Sequence, residues 1–241
     1  MTPRLAAIGL FVLATGVMLP AFAQSAAPLA TASAPASTTA HSATKSITMK
    51  PISAAEETSY AAALETRAQA VLDDLKPIDD TKADHVKKAV IAQYRALRAW
   101  HDTYDDDLKT LNKNATANAD AIAQIQTTRT ALHNAFLSAL AKDLTEAQVE
   151  IVKDRMTYGT VKVTYDEYLR QNPTLTADQK SQILSTLKEA RELAMDDGSQ
   201  QEKAATFGKY KGRINNLLAA WKKQAATQTT SAPASNPTTR Q

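Results

Sequence analysis

The chain has 241 residues, no cysteine, 28 basic and 25 acidic side chains, and a formal net charge of +3. Without cysteine there is neither a disulfide framework nor thiol chemistry, so packing alone must hold the fold. A charge this near balance excludes the basic face of a nucleic-acid binder and strong electrostatic attachment to a membrane surface.

Residues 1–23 read as a signal peptide. Arg4 gives a positive start, Leu5 to Leu19 is almost unbroken apolar, and Ala21-Phe22-Ala23 is an A-x-A cleavage site. The apolar run is shorter than the roughly 20 residues a bilayer needs, and no lipoprotein cysteine follows. The expected product begins at Gln24, spans no membrane, and is periplasmic or secreted. Residues 24–52 are mostly Ala, Ser, Thr and Pro, too poor in large apolar side chains to offset the entropy of ordering. They read as a disordered tether, and residues 227–241 as a disordered tail of the same composition. The folded unit is then 53–226, the size of one domain.

Helix signals run through that unit. Ser53-x-x-Glu56 is a capping box that opens a first helix to about Leu75, with Ala61, Leu64, Ala68, Val71 and Leu75 on one face and Pro77 ending it. Asp80 or Thr81 caps a second helix reaching about Asn112. A third covers about Ala117 to Lys142. Thr145-x-x-Gln148 opens a fourth that stops near Gly159, and Thr164-x-x-Glu167 a short fifth. Thr176-x-x-Gln179 opens a sixth, with Gly198 placed as its left-handed C-terminal residue. Ser199-x-x-Glu202 opens a seventh, to about Lys223. No period-2 run competes, so the expected fold is an all-α bundle of six to seven helices. The apolar stripes Val90-Tyr94-Leu97-His101-Tyr104-Leu108-Leu111 and Ile122-Ile125-Arg129-Leu132-Phe136-Leu140 predict an antiparallel hairpin of the second and third helices.

His101 and Arg129 interrupt these stripes. A polar group on a buried face needs a partner, because an unpaired one costs about 1–3 kcal/mol. Two readings follow: an internal hydrogen-bond network, or a pocket between helices in which Tyr94, His101 and Arg129 orient a ligand. Asp105-Asp106-Asp107 cannot converge on a metal, since consecutive helical residues point in different directions. No short-spaced histidine pair, Walker loop, dinucleotide fingerprint or G-x-S-x-G occurs, so neither metal nor cofactor is expected.

Two segments concentrate aromatic and charged residues. Lys153 to Gly159 brings Tyr158 to a helix end, followed by Tyr165 and Tyr168. Phe207 to Asn216 sets Phe207, Tyr210 and Ile214 on a packing face and Lys209, Arg213 and Asn216 on another. Gly208 and Gly212, four apart, would let a neighbouring backbone approach. Tyrosine beside Lys, Arg and Asn suits sugar, because rings stack on pyranose C–H faces and forked donors hold hydroxyls or carboxylates. The candidate ligand-binding set is therefore Tyr94, His101, Arg129, Tyr158, Tyr165, Lys209, Tyr210, Arg213 and Asn216. No catalytic residue is identified.

Met156-Thr157-Tyr158-Gly159, Phe207 to Asn216, Gln93 to Leu97 and Lys188 to Gly198 resemble a family of secreted all-helical proteins from polysaccharide-degrading bacteria. Its members have no established function and are described as sugar-binding. The resemblance runs from about Leu64 to Trp221, with Trp100 bulkier than the pattern before His101-Asp102. It implies export, an all-α fold and a carbohydrate context, and no catalytic residues. Leu144-Thr145-x-x-Gln148 and Leu175-Thr176-x-x-Gln179 also resemble the short motif of Spy-type periplasmic chaperones, although each is a plain capping box with a leucine before the cap. The leading expectation is binding of carbohydrate or polysaccharide fragments without catalysis. The alternatives are a holdase chaperone, or a sugar-active hydrolase or lyase in which Tyr158 and Arg213 face one cleft.

Overall fold

The computed structural model describes residues 45–230, with side chains as far as 227. The expected signal peptide, the tether up to residue 44 and the tail beyond 230 lie outside the described residues. Within them the chain forms α1 (Ala54–Asp74), α2 (Asp80–Leu111), a 3-10 turn (Asn112–Asn114), α3 (Ala119–Leu140), α4 (Glu146–Met156), α5 (Thr160–Gln171), α6 (Ala177–Ala194) and α7 (Gln200–Thr230). This is the expected all-α bundle, and α2 and α3 pack as the expected hairpin. No helix among the described residues is long and apolar enough to cross a membrane.

Capping boxes open three of the helices. Ser53, Thr145 and Thr176 each accept from the backbone N–H three residues on, and Glu56, Gln148 and Gln179 reach back. Each such cap is worth about 1 kcal/mol. Both Leu-Thr-x-x-Gln strings thus sit at helix starts. Ser199 likewise accepts from the Glu202 N–H at the expected start of α7. Two other starts differ from expectation. Asp79, one residue early, caps α2 by accepting from Thr81 and Lys82. The box expected at Thr164 does not form. A left-handed Gly159 lets α5 begin at once, Thr164 is buried inside the helix, and Glu167 pairs with Arg170.

Two large hydrophobic cores divide the bundle, and a small third one lies between α2 and α3. Ala68 and Val71 of α1, Val86 and Val90 of α2, Phe136 and Leu140 of α3, and Val152 and Met156 of α4 build the first. Val161 of α5, Ile183 and Leu187 of α6, and Phe207 and Ile214 of α7 build the second. Burying each of the larger side chains contributes about 1.5–3 kcal/mol. Gly208 and Gly212 do not seat a neighbour: both are exposed, and a Cβ at either would meet nothing within 4 Å.

The composition-based ends also shift. Residues 45–52, read as the end of a disordered tether, run extended and antiparallel to α2. Thr48 N–H donates to Thr103 Oγ1 at 3.1 Å, Lys50 N–H to Asp102 Oδ2 at 3.0 Å, and the Tyr104 hydroxyl to the Lys45 carbonyl at 3.3 Å. At the other end α7 passes Lys223 and continues to Thr230.

Candidate functional site

The site begins with a backbone irregularity. α4 ends in a Schellman motif: Gly159 N–H donates to the Asp154 carbonyl at 2.8 Å and Tyr158 N–H to the Arg155 carbonyl at 3.2 Å. The residue after the cap in this motif is left-handed and is usually glycine. Here it is Tyr158, with φ 59°, and its ring is 61% exposed. A bulky residue in that conformation costs about 1–3 kcal/mol.

Tyr158 stands at a cavity of about 570 Å³ between α1, the middle of α2 and the first turn of α7. α1 contributes Tyr60 and Arg67. α2 contributes Tyr94, Arg98, His101, Asp102 and Asp105. The α6–α7 connector and α7 add Asp197, Gly198, Ser199, Glu202 and Lys203. Arginines lie over the tyrosine rings, Arg98 at 4.5 Å from the Tyr60 centroid and Arg67 at 5.1 Å from that of Tyr94. Burial pushes the hydroxyls of Tyr60 and Tyr94 above the usual phenol range, so both stay neutral hydrogen-bonding groups at ordinary pH.

His101 is held rigidly. Its Nε2 lies 2.8 Å from the Asp196 carbonyl, to which it donates, and its Nδ1 lies 3.0 Å from Asp105 Oδ1. Trp100 meets it edge-on, with ring centroids 5.0 Å apart. A Cβ on Gly198 would come within 3.1 Å of the imidazole, so the connector lies against this ring. That close approach, not a left-handed backbone, is what Gly198 serves. Lys203 lies beneath, its ammonium donating to the Ala194 and Met195 carbonyls at the end of α6. Burial pushes it down to about 8.

Behind the cavity is a charged network centred on Arg191, which is 2% exposed. Its Nη1 donates to Asp154 and its Nη2 to Glu150, both at 2.7 Å, and Nη2 also reaches Glu192 at 3.1 Å. Lys153 lies 2.9 Å from Glu192, and His133 3.5 Å from Glu192 and 3.0 Å from Asp196. The His133–Asp196 contact is an ion pair more than a well-aligned hydrogen bond. Asp196 ties network to cavity, since its backbone carbonyl receives His101.

This network sets a pH dependence. Asp196 and Glu192 raise His133 to about 9, so its contribution to stability is whole below pH 6.5 and is lost as the pH climbs to 9. Burial opposes the Glu192 charge, but His133, Lys153 and Arg191 hold its carboxyl down to about 2. Its contribution is whole above pH 4.5 and is lost as the pH falls towards 2. Lys203 acts oppositely. Its penalty is full below pH 8 and fades between 8 and 10.5. Unfolding free energy is expected to fall by on the order of 2 kcal/mol between pH 6 and 9. His133→Gln is expected to flatten that limb in urea titrations. An equally steep curve in that variant would refute the assignment.

The structure gathers Tyr94, His101 and Tyr158 from the expected set into this one cavity. Arg129 stands a layer behind, 5.3 Å over the Trp100 ring and 3.9 Å from Asp197. The remaining candidates are elsewhere. Tyr165 packs half-buried on the second core. Tyr210 is buried and donates to Glu189 Oε1 at 2.8 Å, Arg213 pairs with the same carboxylate at 3.1 Å, and Lys209 and Asn216 are exposed. Arg213 does not share a cleft with Tyr158. It lies about 15 Å beyond Lys203 along α7. The three aspartates 105–107 take separate partners, His101, Lys50 and Lys45.

Sequence reasoning missed Tyr60, Arg67, Arg98 and Lys203. Lys203 was findable, because it continues the stripe Lys203-Phe207-Tyr210-Ile214 just as His101 interrupts its own. Arg67 was not, since an arginine off the apolar stripe of α1 reads as solvated surface. Among known proteins, residues 61–229 match the family model described as "Protein of unknown function (DUF3826)". No curated protein matches the chain.

Proposed function

The chain belongs to that family of unknown function, and from this premise we propose that the cavity between α1, α2 and α7 binds a carbohydrate fragment without transforming it. The observation that carries the reading is Tyr158, a large ring kept in the open on a left-handed backbone that glycine would occupy without strain. Strain of this kind persists where a side chain is needed at that point. An exposed aromatic face at the mouth offers stacking for the C–H face of a sugar ring. Arg67, Arg98 and the carboxylates of Asp102, Asp105 and Glu202 supply donors and acceptors for hydroxyls.

Calorimetric titration of the full chain with neutral and acidic plant-polysaccharide oligosaccharides tests the reading, and silence with every glycan overturns it. Tyr158→Gly separates binding from folding. The variant is expected to gain about 1 kcal/mol of stability, because the strained residue is replaced by the one the motif prefers. It is expected to lose binding by tenfold or about that, the share of one stacking ring. Unchanged affinity in Tyr158→Gly would reduce the ring to a structural feature.

A further inference from the structure

Charge within the cavity narrows the class of sugar. Four carboxylates line it, and each is engaged. Asp102 Oδ2 accepts from Lys50 N–H at 3.0 Å and faces Arg98 Nε at 3.6 Å. Asp105 holds His101 at 3.0 Å. Asp197 Oδ2 accepts from Thr206 Oγ1 at 2.6 Å, and Glu202 Oε2 from Ser199 Oγ at 3.0 Å. Among the described residues, no carboxylate pairs with the Arg67 guanidinium, whose contact is the face of Tyr94. The ammonium of Lys203 donates to two backbone carbonyls, and its charge is supported by Asp197, Asp196 and Glu202 and opposed by Arg67. Arg67 therefore lines the cavity as a cation that makes no ion pair of its own.

We propose that the carbohydrate recognised here is acidic: a uronic-acid sugar whose carboxylate pairs with Arg67 while its ring lies towards Tyr158. The proposal rests on the carbohydrate reading of this cavity and adds the ligand's charge. The planar fork of a guanidinium matches a planar carboxylate with two parallel N–H···O bonds, a fit that a lone hydroxyl does not offer. Stacking on Tyr94 restrains the guanidinium before the ligand arrives, so less freedom is lost on binding. Arg98, already facing Asp102 and the ring of Tyr60, is the less available of the two arginines.

The test titrates the full chain with trimers of galacturonate, glucuronate and mannuronate, each beside its fully methyl-esterified form, which keeps the sugar and removes the charge. At least one acid is expected to bind about tenfold or more tightly than its ester, the value of one charge-assisted pair. Arg67→Gln is expected to bring the acid down to the level of the ester, and Arg67→Lys to keep part of the preference. Circular dichroism melting shows whether each variant is folded, and the acid–ester comparison on the unaltered chain decides the matter if one is not. Equal binding of acid and ester overturns the acidic preference and leaves carbohydrate binding intact. No binding of either form, alongside binding of unrelated neutral glycans, also overturns it. Silence towards all glycans removes both readings.

Discussion

Replacing Trp100 by alanine is expected to destabilise the domain by about 4 kcal/mol, lowering Tm by about 12 °C. The ring is 1% exposed and forms a small core of its own with Tyr104 and Ile125 between α2 and α3. Its Nε1 donates to Thr128 Oγ1 at 2.8 Å, and it carries Arg129 on its face. Truncation empties a space that two long helices cannot readily close, because the first core already fixes their spacing at the other end. Trp100→Phe keeps most of the volume and loses the indole donor, and about 1–2 kcal/mol is expected for it. Since the ring also meets His101 edge-on, Trp100→Ala should loosen the imidazole as well. Urea denaturation reads the first effect and the His101 ring resonances the second. A loss below about 2 kcal/mol would show that the hairpin collapses onto the gap.

The second large effect is expected at Arg191. Arg191→Met should cost about 3 kcal/mol, a fall in Tm of about 9 °C. The methionine fills much of the volume. What remains is three carboxylates, Glu150, Asp154 and Glu192, drawn together around a charge that has gone. Lys153 and Lys188 neutralise part of the excess, which holds the figure below that for a fully buried triad. Arg191→Lys should recover little, because one ammonium cannot serve Asp154 and Glu150 as the two arms of a guanidinium do. The contrast is Arg213→Ala. Its pair with Glu189 is solvent-exposed, and a change within about 0.5 kcal/mol is expected. If the two substitutions cost the same, the network is not a structural keystone between α4 and α6.

A joint consequence concerns the cavity. Asp196 receives His101 on its backbone and faces His133 with its side chain, so the network and the cavity wall share one residue. Substitutions at Arg191 that leave the protein folded are therefore expected to weaken ligand binding even though Arg191 lines a different face. The pH limb attributed to His133 is expected to appear in affinity as well as in stability.

Much of the fold follows from local rules and was legible in the chain itself. Apolar residues spaced three to four apart specify helices wherever they occur. The Ser53, Thr145 and Thr176 boxes mark starts with chemistry that acts over three residues. Those signals gave seven helices and the α2–α3 hairpin. They failed where a start depends on backbone chirality, as at Gly159, and where composition imitates disorder, as at 45–52, whose hydrogen bonds lie more than fifty residues away in sequence. Anomalies on a stripe also marked Tyr94 and His101, and an aromatic at a helix end marked Tyr158, three residues that line one cavity.

Only the tertiary structure decided which of the marked residues meet. Tyr210 and Arg213 carry the same side chains a sugar site uses, yet α6 sets Glu189 against both. Arg67 stays exposed, and only the laying of α1 across α2 sets its guanidinium over the Tyr94 ring. Periodicity within a helix reports which side is buried, and it carries no information about which other helix will cover that side. Convergence of polar groups is a property of crossing elements, so it appears only when the helices are packed.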